Sequence, residues 1–214
     1  MVFSSMLFLW IFLPITLVGN SLCMNFGKEK VANIFLLIAS IFFYAWGEPI
    51  YILLLFLSII VNWALGVKLE ASRNKQCIFI LAVIFNLLGL AYFKYVGWFM
   101  HIVQDISGKE LSIPIVTLPI GISFFTFQAM SYVWDVYRGE VKAQKNLGDL
   151  ALYISFFPQL IAGPIVKYKD IDEQIRYRKI TGETFSAGIT RFAYGLGKKV
   201  IVANTLAQAV DTIY

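Results

Sequence analysis

The sequence predicts an all-α polytopic membrane protein, and three observations support this fold class. The chain has 214 residues, of which 59% are hydrophobic and 14% are charged, whereas soluble domains average about 25% charged residues. Its apolar residues form runs about as long as the roughly 20 helical residues that cross a bilayer. The runs lack the alternation of barrel strands, and only helices satisfy their own backbone groups in lipid. A soluble fold is therefore excluded.

Five of the apolar runs predict membrane-spanning helices in a single membrane domain, 1–214. Tyrosine and tryptophan residues gather at the ends of these runs, as expected at a membrane interface. The first run has no basic residue before it and no small-residue cleavage site after it, so it is predicted to be a retained span rather than a signal peptide. The spans are predicted at about 2–22, 31–46, 50–67, 77–93 and 115–134.

A sixth run, 150–166, is predicted to enter the membrane and return on the same side. If this run crossed the membrane, the lysines and arginines between runs would number 8 on one side and 7 on the other. If the run is re-entrant, they number 13 on one side and 2 on the other. The second division obeys the positive-inside rule, with the amino terminus outside and the basic loops in the cytoplasm. The centre of the sixth run, 156–164, contains Pro158, Gln159, Gly163 and Pro164. These residues suit a broken, protein-enclosed segment better than a lipid-facing helix.

The last part of the chain, 184–214, is more polar and is predicted to be an interfacial or packing helix. One apolar face is indicated by residues spaced three or four apart: Phe185, Ile189, Phe192, Leu196 and Val200. Because this pattern continues to Tyr214 without a capping residue, we expect a chain truncated at its carboxyl end.

Composition and motifs exclude several classes of function. The net charge of +5 lies in short stretches between apolar runs, where it indicates topology and contact with anionic lipid rather than nucleic-acid binding. Cys23 and Cys77 share no ligand-like spacing, and no hydrolase, phosphate-loop or metal motif is present. His101, the single histidine, follows the fourth run in a predicted loop. An interfacial role suits it better than a catalytic one.

Polar residues in the block 119–140 and in the broken segment are the candidates for a functional site. Polar side chains within a span tend to face a bundle interior or a cavity, and Gln159 is a cavity-lining candidate because a buried amide must find partners. Asp135 and Arg138 lie three residues apart and can pair on one helix face. Such a pair is either purely structural or an anchor for a loop at the cytoplasmic mouth of a channel.

Three blocks of the sequence resemble the membrane-bound O-acyltransferases, in particular their bacterial branch that includes alginate O-acetylation proteins. The blocks are MVFSSMLFLWIFLPI at the start, PIGISFFTFQAMSYVWDVYRG from residue 119, and SFFPQLIAGPIVKYKDI at 155–171; GLGKKVIVANTLAQAVD at 195–211 is similar to the block that follows. The resemblance covers nearly the whole chain in the family's order. It implies the amino-terminal half of that family's helical fold.

The resemblance also implies a reaction and a set of residues. The acyl group, acetyl in the first instance, would pass from a cytoplasmic thioester such as acetyl-CoA to hydroxyls of an exported polysaccharide such as alginate. No bound cofactor is expected, and the histidine that the family uses lies beyond the blocks found here, so no catalytic residue carries over. The residues that match and would line a tunnel are Gln128, Tyr132, Pro158, Gln159, Gly163 and Pro164.

The same resemblance implies a bacterial cytoplasmic membrane, with periplasmic acetylation proteins as further partners. Two other classes of protein stay open. A transporter also places a broken helix and polar residues near the membrane centre, although the two halves of this chain show no inverted repeat. A non-catalytic membrane subunit could dock a partner through the charged stretch 167–179.

Overall fold

The computed structural model describes residues 3–25, 29–107, 116–161, 163–178 and 180–213. All regular structure in these ranges is helical, which confirms the predicted all-α class. The first turns of α1, Phe8–Phe12, and the link between α9 and α10, Lys198–Ala203, are π-helical. The helices are α1 (Phe8–Asn25), α2 (Glu29–Gly47), α3 (Ile52–Ala71), α4 (Lys75–Ser107), α5 (Ile122–Arg138), α6 (Leu147–Ser155), α7 (Phe157–Leu160), α8 (Tyr168–Arg176), α9 (Gly182–Gly197) and α10 (Asn204–Ile213).

Helices α1 to α4 are long and apolar enough to cross a membrane, and the chain is a membrane protein. They overlap the first four predicted spans. Helix α4 has 33 residues, a length of about 50 Å at 1.5 Å per residue, and it continues well beyond the predicted end at residue 93. The sequence placed His101 in a loop, and this was wrong, because His101 lies on α4 with its side chain exposed.

Helix α5 occupies the centre of the bundle. It packs against α3, α4, α6 and α8. It begins after Gly121, which has a φ of +81°, and ends before Gly139, which has a φ of +72°, so both boundaries use backbone that favours glycine. Its 17 residues start later than the predicted span 115–134, since residues 116–121 are not helical. That α5 crosses the membrane stays a prediction.

Two asparagines join α3 to α4 inside the apolar core. Asn62 Nδ2 donates to Asn86 Oδ1 over 3.1 Å, and Asn86 Nδ2 donates to Asn62 Oδ1 over 2.7 Å. Each amide also donates to a carbonyl of its own helix over 2.8 Å: Asn62 to Ser58, and Asn86 to Ala82. Both side chains are buried, and this pairing satisfies polar groups that apolar surroundings would otherwise penalise.

A close approach of α3 to α5 depends on Gly66. A Cβ atom at this position would lie 2.7 Å from Cζ of Tyr132, well inside van der Waals contact. The absence of a side chain therefore lets the Tyr132 ring pack directly on the backbone of α3. Tyr132 is fully buried there.

The segment predicted as a helix over 184–214 is helical from Gly182 to Ile213, with the π-helical link inside it. The Thr181 side chain caps its start by accepting the Thr184 N–H, and the Thr184 side chain accepts the Thr181 N–H. The predicted apolar face is largely uncovered, with Phe185, Ile189 and Phe192 each exposed by 41–51%. An interfacial position for this helix stays a prediction.

Candidate functional site

The predicted break in the sixth run is confirmed, whereas its enclosure by protein stays a prediction, because Pro158, Gly163 and Pro164 are exposed. Helix α6 ends at Ser155, Phe156 turns the backbone with a ψ of 113°, and the single turn α7 ends at Leu160. Pro158 sits in the first turn of α7, where a missing N–H costs no helical hydrogen bond. Residues 164–167 have no regular structure before α8 begins at Tyr168. Re-entry into the membrane by this segment is not established and stays a prediction.

The start of the break is held in an aromatic cluster formed by α1 and α2. The Phe157 ring lies with its centroid 5.1 Å from that of Phe12, 5.5 Å from Phe43 and 6.1 Å from Phe8. The Phe157 N–H donates to Ser40 Oγ on α2 over 3.3 Å. Since the break frees this N–H from a helix, the serine supplies the acceptor that a buried donor needs.

The structure brings together the two glutamines that the sequence singled out. Gln128 on α5 donates from Nε2 to Oε1 of Gln159 on α7 over 3.3 Å. Gln128 is buried, and its Oε1 has no hydrogen-bond partner within the described residues. Gln159 is half-buried and lines a cavity of about 200 Å³. Within the described residues, the pair therefore leaves one carbonyl oxygen, Gln128 Oε1, without a partner beside the break, and a hydroxyl donor would satisfy it.

The remaining tunnel candidates are Tyr132 on α5 and three residues in or after the break, Pro158, Gly163 and Pro164. The Tyr132 hydroxyl accepts the Gln144 N–H over 3.1 Å, and its ring packs edge-on against Tyr168 at 5.0 Å. Tyr132 thus acts in core packing, and a role in a tunnel wall stays a prediction. Pro158, Gly163 and Pro164 are exposed, and their predicted role is likewise untested.

The predicted ion pair between Asp135 and Arg138 was wrong. Asp135 Oδ2 instead accepts the backbone N–H of Lys169 over 3.1 Å, at the second residue of α8, where the helix dipole favours a carboxylate. Arg138 Nε pairs with Glu140 at 3.1 Å. Asp135 therefore ties the end of α5 to the start of α8.

Glu140 forms the centre of a small exposed charge cluster at this end of α5. It also accepts from Lys169 Nζ over 2.8 Å. The hydrogen bond from Lys169 lowers the pKa of the Glu140 carboxyl, and the Arg138 charge adds to this effect. The same bond raises the pKa of Lys169. These contacts, rather than the predicted pair, order the loop after α5.

Sequence reasoning missed Ser40, Phe157 and Asn33. Ser40 and Asn33 are isolated polar residues in a predicted span or at its edge, and that isolation is a usable signal. Asn33 donates to the Ile175 carbonyl over 2.9 Å and to Asp149 over 3.3 Å. Nothing in the sequence distinguishes Phe157 from the other phenylalanines of this chain.

The comparisons with known proteins agree with the blocks that the sequence displays. The chain is 40% identical to a probable alginate O-acetylase of Pseudomonas aeruginosa over 219 residues, which is 99% of this chain and 41% of that protein. The chain is thus a relative of the alginate O-acetylases, in agreement with the resemblance to membrane-bound O-acyltransferases that its blocks display. It spans about two fifths of the length of the alginate O-acetylases that it matches.

Two further relatives match at lower identity. A peptidoglycan O-acetyltransferase of Helicobacter pylori is 29% identical over 99% of this chain and 46% of its own length. A teichoic acid D-alanyltransferase of Lacticaseibacillus rhamnosus is 27% identical over 47% of this chain and 22% of its own length. No family model matches the chain, and no solved structure matches it.

Proposed function

We propose that the protein transfers an acyl group to hydroxyls of an exported polysaccharide, with acetyl as the group and alginate as the leading acceptor. The observation that carries this proposal is the 40% identity to an alginate O-acetylase over 99% of the chain. The peptidoglycan relative supports O-acetylation of a polysaccharide more generally. The teichoic acid relative makes D-alanyl transfer the second candidate.

The reaction sets the requirements for the site. A hydroxyl oxygen of the polysaccharide attacks the carbonyl carbon of an acyl thioester, a base takes the hydroxyl proton, and the C–S bond breaks to release a thiolate. Catalysis needs both partners held in line and protected from water. In this proposal the thioester, acetyl-CoA or another acyl thioester, reaches the site from the cytoplasm, and the protein lies in the bacterial inner membrane.

The amide pair of Gln128 and Gln159 would contribute positioning rather than proton transfer. An amide does not titrate near neutral pH, but its carbonyl accepts a hydroxyl hydrogen and its N–H₂ donates to a carbonyl oxygen. Gln128 Oε1 has no partner among the described residues, so a bound hydroxyl would satisfy a group that is costly to leave unpaired.

Periplasmic acetylation proteins would receive or present the polysaccharide.

Deleting the gene in the organism that encodes the chain tests the proposed reaction. The readout is acyl groups released by mild base from the exported polysaccharide. We expect acetate to be lost from the mutant strain and restored by the wild-type gene; release of alanine in its place would identify D-alanyl transfer. Unchanged polysaccharide acylation in the deletion strain contradicts the proposed function.

A point variant tests the amide pair separately. Gln159→Leu keeps a similar volume but removes the amide, and we expect roughly tenfold less acylation at equal protein level in membranes. The matched control is Gln208→Leu on α10, where the side chain is exposed and acylation should stay at the wild-type level. Full acylation with Gln159→Leu would rule out the positioning role while leaving the reaction itself standing.

A further inference from the structure

The cavity beside Gln159 has apolar walls and three polar side chains. Leu152, Tyr153, Phe156, Ile171 and Ile175 provide the walls, and Gln159, Gln174 and Arg178 provide the polar groups. Its volume of about 200 Å³ far exceeds the roughly 30 Å³ of one water molecule. The space therefore suits a ligand with a polar group and an apolar stem.

Arg178 lines this cavity and, among the residues that the structure describes, uses little of its hydrogen-bonding capacity. Its guanidinium donates to Asn33 Oδ1, and the orientation of that amide is fixed because Asn33 Nδ2 donates to Asp149 and to the Ile175 carbonyl. A guanidinium carries five N–H donors. Within the described residues, the acceptor that Arg178 reaches is this neutral oxygen, with no carboxylate within 4.0 Å.

The electrostatics of Arg178 favour an anionic ligand. Burial lowers the pKa of Arg178, and the charge of Glu29 at the start of α2 opposes this effect only in part. A desolvated cation without a paired anion is unfavourable. Guanidinium binds phosphate through two parallel hydrogen bonds, and phosphate is the anion that membrane surfaces supply in abundance.

We infer that this cavity binds a phosphate group that carries an apolar stem, with the phosphate on Arg178 and the stem along the walls. The inference does not depend on acyl transfer, since it rests on the cavity and the charge alone. Two sources supply this chemistry: an anionic phospholipid headgroup and a soluble phosphate ester. Gln159 borders this cavity and also contacts Gln128, so the phosphate site adjoins the amide pair.

The experiment measures thermal unfolding of the purified chain in lipid nanodiscs. One arm titrates inorganic pyrophosphate into phosphatidylcholine nanodiscs, and the other replaces part of the phosphatidylcholine with phosphatidylglycerol. We expect a raised melting temperature in at least one arm, since ligands that bind the folded state stabilise it. Arg178→Gln should need roughly tenfold more ligand for the same shift.

The matched control is Arg191→Gln, which makes the same charge change on an exposed residue of α9 and should respond like the wild type. A response to pyrophosphate identifies a soluble phosphate source, and a response to phosphatidylglycerol alone identifies a lipid. The inference is overturned if neither arm stabilises the wild type, or if Arg178→Gln and Arg191→Gln respond alike.

A second variant covers the case in which Arg178→Gln does not fold. Gln174→Trp changes an exposed residue at the cavity and fills the space without removing the cation. The ligand-dependent shift should disappear in this variant. A full shift with Gln174→Trp would place the phosphate elsewhere and overturn the inference.

Discussion

Adding one methyl group at Gly66 should destabilise the bundle by displacing Tyr132. The Cβ of alanine would lie 2.7 Å from Tyr132 Cζ, so the ring must move. Overpacking of this kind costs about 1–3 kcal/mol, and loss of the hydrogen bond to the buried Gln144 N–H costs about 1–3 kcal/mol. The higher helix propensity of alanine relative to glycine offsets about 1 kcal/mol of this cost. The net loss for Gly66→Ala is therefore about 3 kcal/mol.

Unfolding in mixed micelles, followed by helical circular dichroism, measures this free energy. The control is Gly89→Ala on α4, where a Cβ would meet no atom within 4 Å and stability should hold or rise by up to about 1 kcal/mol. In a Tyr132→Leu background, Gly66→Ala should cost little more than this control. If Gly66→Ala proves as stable as Gly89→Ala in the wild-type background, the packing explanation fails.

Three further outcomes follow from contacts in the structure, each measured by the same unfolding assay. Asn62→Leu should cost about 1–3 kcal/mol by orphaning the Asn86 amide, whereas the double leucine variant should cost less than the two single changes together; additive costs would contradict the pairing. Ser40→Ala removes the acceptor at the start of α7 and should cost about 1–2 kcal/mol; wild-type stability in this variant would contradict the role of the contact. The contact between Glu140 and Lys169 should stabilise the folded state above the ordinary glutamate pKa of 4.5, and this stabilisation should vanish as the pH falls through the lowered pKa of the folded state. The unfolding free energies of the wild type and of Glu140→Gln should therefore differ at neutral pH and become equal in acid.

The helical class and the broken segment could be predicted because both depend on local chemistry. Apolar runs of sufficient length have few alternatives to a helix in lipid, and Pro158 with Gly163 and Pro164 disfavours a continuous helix near 156–164. Gln128 and Gln159 were identified one by one from their polarity in apolar surroundings. Their contact across 31 residues was not predictable from spacing, because it depends on how α7 packs beside α5.

The errors arise where a local rule competes with tertiary contacts. A three-residue spacing permits a pair between Asp135 and Arg138, but α8 presents a backbone N–H to Asp135 and Glu140 attracts Arg138. The end of α4 was misplaced because hydropathy falls after residue 93 while helical hydrogen bonding continues to Ser107. Hydropathy marks the apolar part of a helix and carries little information on where the helix ends.

The asparagine pair between α3 and α4 also determines how these two helices are aligned along their length. Apolar side chains fit many positions along a neighbouring helix, but a slide of one turn, about 5.4 Å, would separate both amides and leave them unpaired in the core. The pair thus sets the register of α4 against α3. It fixes which part of the 33-residue α4 lies beside α3, and hence how far the rest of α4 projects past its neighbour.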